Sequence, residues 1–265
     1  MATQAMDIGQ RQDAVARVAP YNPGAPLKRE WGTAWSALRK LMANGDDTVQ
    51  VFRIMRALNA GASQRNYHKL IGTRDGGKLA YERVELAERF SDRAWLDALP
   101  DGTVGAAYRA FLDRTGFSAK GLADISMNDF DPDAVVHDHP YTWFGRRERD
   151  VHDIWHTLTG YTAEEHLGEL CLVAFSYAQT RGLGWAAIAS MGALKSLKMT
   201  GDTAVLKAVR EGYRHGKRAK WLSGEDYVAL LEEPLESARR RLNIAEPVLY
   251  HKAQAMLAAK GVSAI

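Results

Sequence analysis

Proline placement limits this chain more than any other feature. None occurs from Leu27 to Leu99 or from Tyr141 to Glu233, so two long stretches keep every backbone N–H that a helix needs. Within them apolar residues recur at three- and four-residue steps, as in Val51, Ile54, Met55 and Leu58, the period of an amphipathic helix. Strand-like alternation is scarce. The spacing predicts helices around Trp31 to Asn44, Asp47 to Asn59, and Thr103 to Thr115 through Val104, Tyr108, Phe111 and Leu112. Gly116 to Pro140, rich in Asp, Asn and Ser and holding Pro132, reads as a long connection. Pro20, Pro23 and Pro26 follow a polar start and mark a loose N-terminal arm over residues 1–26. No internal repeat appears. The expectation is an all-α protein, a single helical domain over 27–265 with that arm in front.

Composition excludes several classes. Of 265 residues, 46% are apolar and 25% charged, with 35 Lys and Arg against 32 Asp and Glu; disordered, collagen-like and coiled-coil chains have other balances. The single cysteine, Cys171, rules out an internal disulfide and a Cys-based zinc finger, and its apolar neighbours make it a buried small hydrophobe. Trp31 and Trp35, four residues apart, read as core aromatics. Asp7, Arg11, Asp13 and Arg17 interrupt the N-terminus, so no secretory signal is expected. No charge-free apolar run approaches the roughly 18 residues of a spanning helix. The expected location is the cytoplasm or the inner face of a membrane.

The near-neutral total hides an uneven distribution. Lys195 to Trp221 holds eight Lys and Arg against two acids, Asp202 and Glu211. It follows an apolar stretch, Gly182 to Met199, in which small residues alternate with large ones. That stretch reads either as a core helix or as a lipid-facing one, with Trp185, Met191 and Leu194 defining the lipid face and the lysines ending it at the headgroups. Tyr213 and Trp221 interleave the basic strip, but no nucleic-acid-binding motif accompanies them. A nucleic-acid partner is not expected, and anionic lipid suits the strip better.

The segment carrying chemistry is Arg147-Glu-Arg-Asp-Val-His152-Asp153-Ile-Trp-His156-Thr-Leu-Thr-Gly160. On a helix, His152 and His156 stand one above the other, and Asp153 adjoins their face. Two imidazoles and a carboxylate in this pattern suit a divalent metal. Gly160 ends the helix, and Thr162-Ala-Glu-Glu165 has the form of a capping box that starts another. The second helix would carry Glu165 and Glu169 four apart, so that either could approach the histidine pair. A zinc protease is disfavoured, because Asp153 replaces the Glu of H-E-x-x-H. A di-iron bundle lacks its second motif. A helical phosphohydrolase remains as a rival, drawing on His137 or His139, on His152 with Asp153, and on Asp226. Arg147, Arg149 and His166 are candidate holders of an anionic substrate.

His152-Asp-x-x-His156, a Gly-containing turn and Leu167-Gly168-Glu169 resemble the signature of the coenzyme Q (ubiquinone) biosynthesis protein 4 family. Leu99-Pro-Asp-Gly-Thr-Val-Gly-Ala-Ala-Tyr108-Arg-Ala-Phe111-Leu is similar to the family's upstream block. Tyr213-Arg-His-Gly216-Lys-Arg-Ala219-Lys and Leu235-Glu-Ser-Ala-Arg239-Arg-Arg-Leu242-Asn-Ile244 with Pro247 are similar to its C-terminal part. The resemblance covers Leu27 to Pro247. Twelve residues separate His156 from Glu169, one more than the family pattern has, which lengthens the turn near Tyr161. The resemblance implies a divalent metal, zinc first and magnesium or another ion as alternatives, held by His152, Asp153, His156 and Glu169, which would also be the catalytic residues. It implies oxidative decarboxylation with hydroxylation at ring carbon 1 of a polyprenylated hydroxybenzoate, or a scaffold role among other quinone-biosynthesis proteins. A membrane surface and a homo-oligomer are the further partners it suggests.

Overall fold

The computed structural model describes residues 28–59, 61–128 and 140–261. These residues are mainly helical, and among them no strand forms. The arm over 1–26 lies outside the described residues. An N-terminal hairpin pairs α1 (Trp31–Ala43) with α2 (Thr48–Leu58). Five helices follow: α3 (Ala62–Ile71), α4 (Gly76–Glu82), α5 (Leu86–Phe90), α6 (Arg93–Ala98) and α7 (Val104–Thr115). Thr103 caps α7 by accepting from the Ala106 amide. The expected long connection after Gly116 is helical in part, because α8 spans Gly121–Asn128.

The remaining helices build the site and its support. They are α9 (Pro140–Asp150), α10 (His152–Thr159), α11 (His166–Thr180), α12 (Leu183–Thr200), α13 (Ala204–Arg218), α14 (Tyr227–Glu232), α15 (Leu235–Leu242) and α16 (Val248–Ala259). The central element is α11. From Leu170 to Ser176 every residue is buried, as an all-round apolar helix must be. It packs most extensively on α13. Two glycines make that contact close: a Cβ on Gly212 would lie 2.4 Å from the Cys171 carbonyl oxygen, and one on Gly216 would lie 2.5 Å from that of Phe175. The Gln179 amide then donates to the Gly216 carbonyl at 2.6 Å and accepts from the Leu222 amide at 2.8 Å. Cys171 is fully buried, as expected.

The small residues of α12 serve the same purpose. A Cβ on Gly184 would meet the Met55 sulfur at 2.7 Å, and one on Gly192 would meet Leu170 at 2.3 Å. They let neighbouring helices approach closely at these two positions. Of the three residues expected to define a lipid face, Trp185 and Met191 are half-buried and Leu194 is exposed. Trp31 and Trp35 correct the sequence reading. They are 62% and 57% exposed, because α1 turns Ala34, Ala37, Leu38 and Leu41 to its neighbours instead. Among the described residues no helix is long and apolar enough to cross a membrane.

Candidate metal centre

The cluster forms where α10 meets the first turn of α11. Helix α10 positions both histidines on one side, and their rings lie 4.8 Å apart at 77°. The helix stops at Gly160, whose φ of 78° is the left-handed conformation that glycine adopts without strain. Arg239 of α15 holds that end, donating to the carbonyls of Leu158 and Thr157 at 2.9 and 3.1 Å. The chain returns through Tyr161 to Glu165 and enters α11 at His166. Gly168 makes this re-entry tight, since a Cβ there would lie 1.9 Å from the Thr162 carbonyl oxygen. The expected capping box does not form. The Thr162 hydroxyl donates to the Glu165 carboxylate at 3.1 Å, and α11 begins only after Glu165.

That late start decides between the two glutamates. Glu169 reaches the histidines, with Oε1 3.2 Å from His156 Nε2 and Oε2 3.9 Å from His152 Nε2. Glu165 faces the other way, accepting from the Tyr250 hydroxyl and from the Gln254 amide at 2.8 Å. One ligand atom from each of His152, His156 and Glu169 lies within 4.8 Å of the others. Asp153 stands behind this trio. Its Oδ1 is 3.3 Å from His152 Nδ1, so it orients that ring and leaves Nε2 facing inward. The Trp185 ring lies parallel to His152 at 6.2 Å and 13°, walling the other side.

The hydrogen bonds around the cluster bear on what it could hold. His156 Nδ1 faces the Tyr161 carbonyl at 2.8 Å. A carbonyl only accepts, so Nδ1 carries the proton and Nε2 of the neutral ring is a bare lone pair. That lone pair is aimed at a carboxylate oxygen, and two acceptors at 3.2 Å repel unless a cation lies between them. A proton is one such cation. Burial pulls the His156 pKa down, but Glu169, Asp153 and the Tyr161 carbonyl together raise it above the ordinary value. Burial likewise pushes Glu169 up, and His156, His152 and His166 bring it below the ordinary value. A divalent metal is the other cation. Two imidazole nitrogens and one carboxylate form the donor set of an open zinc site. His156 is 1% exposed at its side chain while Glu169 keeps 40%, so the trio is buried on one side and reachable from the other. The residues fit the ion.

Other sequence candidates lie elsewhere. Asp226 caps α14, accepting from the Val228 and Ala229 amides at 3.1 and 3.3 Å. His137 and His139 fall outside the described residues, so the phosphohydrolase constellation is not assembled among those described. Arg147 is buried and donates to the Glu225 carbonyl. Arg149 pairs with Asp150 at 2.7 Å, and His166 with Asp46 at 3.3 Å. Two contributors carried no signal in the sequence: the Tyr161 carbonyl, which is backbone, and Trp185, whose approach to His152 depends on how α12 packs.

Residues 27–248 match the family model described as "Coenzyme Q (ubiquinone) biosynthesis protein Coq4". A Danio rerio relative, "Ubiquinone biosynthesis protein COQ4 homolog, mitochondrial", is 32% identical over 178 residues, covering 65% of this chain and 60% of the relative. The Homo sapiens protein of the same description is 27% identical over 177 residues, covering 66% of this chain and 63% of its own. The chain thus spans about three-fifths of the length of these relatives. A crystal structure from Nostoc punctiforme PCC 73102 matches 83% of this chain and all of its own with a TM-score of 0.58 at 22% identity, which shows the shared fold.

Proposed function

The chain belongs to the coenzyme Q (ubiquinone) biosynthesis protein Coq4 family, and from that membership and the site we propose a metal-dependent enzyme of quinone head-group synthesis. The reading is that it replaces the ring-carbon-1 carboxyl of a polyprenylated hydroxybenzoate by hydroxyl. The observation that carries it is the convergence of His152 Nε2, His156 Nε2 and the Glu169 carboxylate on one point with an accessible side.

His152, His156 and Glu169 would hold the ion, with Asp153 behind His152 and the Tyr161 carbonyl behind His156. When bound, a divalent ion supplies Lewis-acid charge that anchors an anionic carboxylate or phenolate. The protein's own groups do the rest. The half-exposed Glu169 leaves an approach for the ring, and the Trp185 indole offers an apolar wall beside His152 on which an aromatic ring can lie. Loss of the carboxyl as CO2 and gain of the hydroxyl removes two electrons from the ring, and dioxygen is the acceptor proposed. A prenylated substrate resides in a membrane, so the protein is read as working at a membrane surface, alongside other quinone-biosynthesis proteins and as a homo-oligomer.

The test is mass spectrometry of quinone precursors in cells lacking this gene, complemented by wild type or by His156→Ala. A ring-carboxylated prenyl intermediate should accumulate without the gene and with the variant, and should clear with wild type. An unchanged quinone profile refutes the assignment. Full complementation by a folded His156→Ala protein removes the metal trio from catalysis.

A further inference from the structure

Helix α1 presents an unusual surface. Trp31 and Trp35 follow one another at i, i+4, and the same ridge continues to Arg39. Both indoles are more exposed than covered, at 62% and 57%. The helix has an apolar arc wider than its neighbours cover. Ala34, Ala37, Leu38 and Leu41 are buried against α2 and α12, and the tryptophans stand beside that buried stripe. Cations frame them: Lys28 and Arg29 precede the helix, and Arg39 and Lys40 lie in its last turns, all exposed. None of Lys28, Arg39 and Lys40 pairs with an acid among the described residues. Glu30 is the one acid between Lys28 and Lys40.

We propose that the outer face of α1 is the surface through which this protein docks on an anionic phospholipid membrane, with the two indoles seated at headgroup depth and Lys28, Arg39 and Lys40 on the lipid phosphates. This rests on the membrane reading above and names the element that makes the contact. The chemistry selects the occupant. An indole has an apolar body and one N–H donor, which suits a boundary between hydrocarbon and water. Basic residues flanking such aromatics are attracted to anionic lipid.

The alternatives fit less well. A second copy meeting this face across a two-fold axis would bring the same cations against one another. Residues 1–26 carry Asp7 and Asp13 against Arg11 and Arg17, and so offer no net charge to complement the face. The neighbouring helix continues this surface: α12 packs on α1 and exposes Leu194 and Met199 at 55% each beside Lys195 and Lys198. The N-terminal turn of α12 carries Trp185 against His152. A membrane held by α1 is therefore one helix away from the wall of the metal cluster.

Flotation of the full chain with vesicles tests this, using phosphatidylcholine alone or mixed with phosphatidylglycerol. Wild type should float with the anionic vesicles and release as salt rises. The variant W31S/W35S should bind about tenfold more weakly, a modest fraction of what burying two indoles provides. R39E/K40E should lose at least about tenfold at low salt, because two charges that attract anionic lipid become two that repel it. All four side chains are exposed, so both variants should keep the helical circular dichroism of wild type. If wild type floats and W31S/W35S floats equally well, α1 is the wrong surface although the membrane reading stands. If wild type does not float at all, the membrane reading fails with it. If sedimentation shows a wild-type dimer that W31S/W35S converts to monomer without a change in flotation, the face belongs to a second copy.

Discussion

Gly212→Ala should destabilise this protein although it improves the local helix. An added Cβ would lie 2.4 Å from the Cys171 carbonyl oxygen, with the Cys171 carbonyl carbon and Cα at 3.2 and 3.3 Å. These are backbone atoms of α11 and cannot swing aside. Reaching ordinary contact at about 3.4 Å requires α11 and α13 to part by about 1 Å, a gap that forfeits roughly a quarter to a half of each dispersion well it opens. The separation also acts on Gly216, 2.5 Å from Phe175 by the same measure, and on the Gln179 bond to its carbonyl. Overpacking of this kind costs about 1–3 kcal/mol, and a strained hydrogen bond adds about 1. Alanine in place of glycine inside a helix returns about 1 kcal/mol. The balance is a loss of about 1–3 kcal/mol. Gly32→Ala is the control, since a Cβ there meets nothing within 4 Å on an exposed turn of α1, and it should stabilise by about 0.5–1 kcal/mol. Urea titration followed by circular dichroism reads both as midpoint shifts at constant slope. A Gly212→Ala protein as stable as wild type would refute the close-approach argument for the central helix pair.

Further outcomes follow from the site and its surroundings. Metal analysis after purification should find the ion lost in Glu169→Gln and retained in Glu165→Gln. The second variant should instead lower stability by about 1–3 kcal/mol, because Glu165 anchors Tyr250 and Gln254; equal metal content in the two would discredit the trio. Glu148 supplies a pH dependence. Burial raises its pKa to about 7 against the donors Asn66 and Ser223, so between the ordinary glutamate value of 4.5 and about 7 the folded state binds more proton than the unfolded. Stability should therefore fall as pH rises through that window, by at most about 3 kcal/mol. Glu148→Gln should flatten the profile, and an unchanged profile would show that another group is responsible. Cys171 is fully buried and burial pushes its thiol well above the usual range. A disulfide reagent should label it only at the rate of unfolding, and rapid labelling of folded protein would contradict the packing of α11.

What could be read from the sequence was local. The spacing of His152 and His156, the stop at Gly160, the apolar run of α11 and the burial of Cys171 follow from a 3.6-residue period and from glycine's freedom, properties a segment carries by itself. The hairpin helices near Trp31 and Thr48 came from the same source. What needed the assembled structure was every choice between locally equivalent partners. Thr162 to Glu165 has the letters of a capping box, but Tyr250 and Gln254, some 85 to 89 residues further on, capture Glu165 and delay α11 until His166. That delay leaves Glu169, in the first turn of α11, as the carboxylate that meets the histidines. Trp31 and Trp35 have the spacing of core residues, and only the way α1 rolls onto α2 and α12, led by its alanines, leaves them facing outward. Helix periodicity says which residues share a face; which face is covered depends on the neighbours, and those are brought together by burial across distances that no local pattern records.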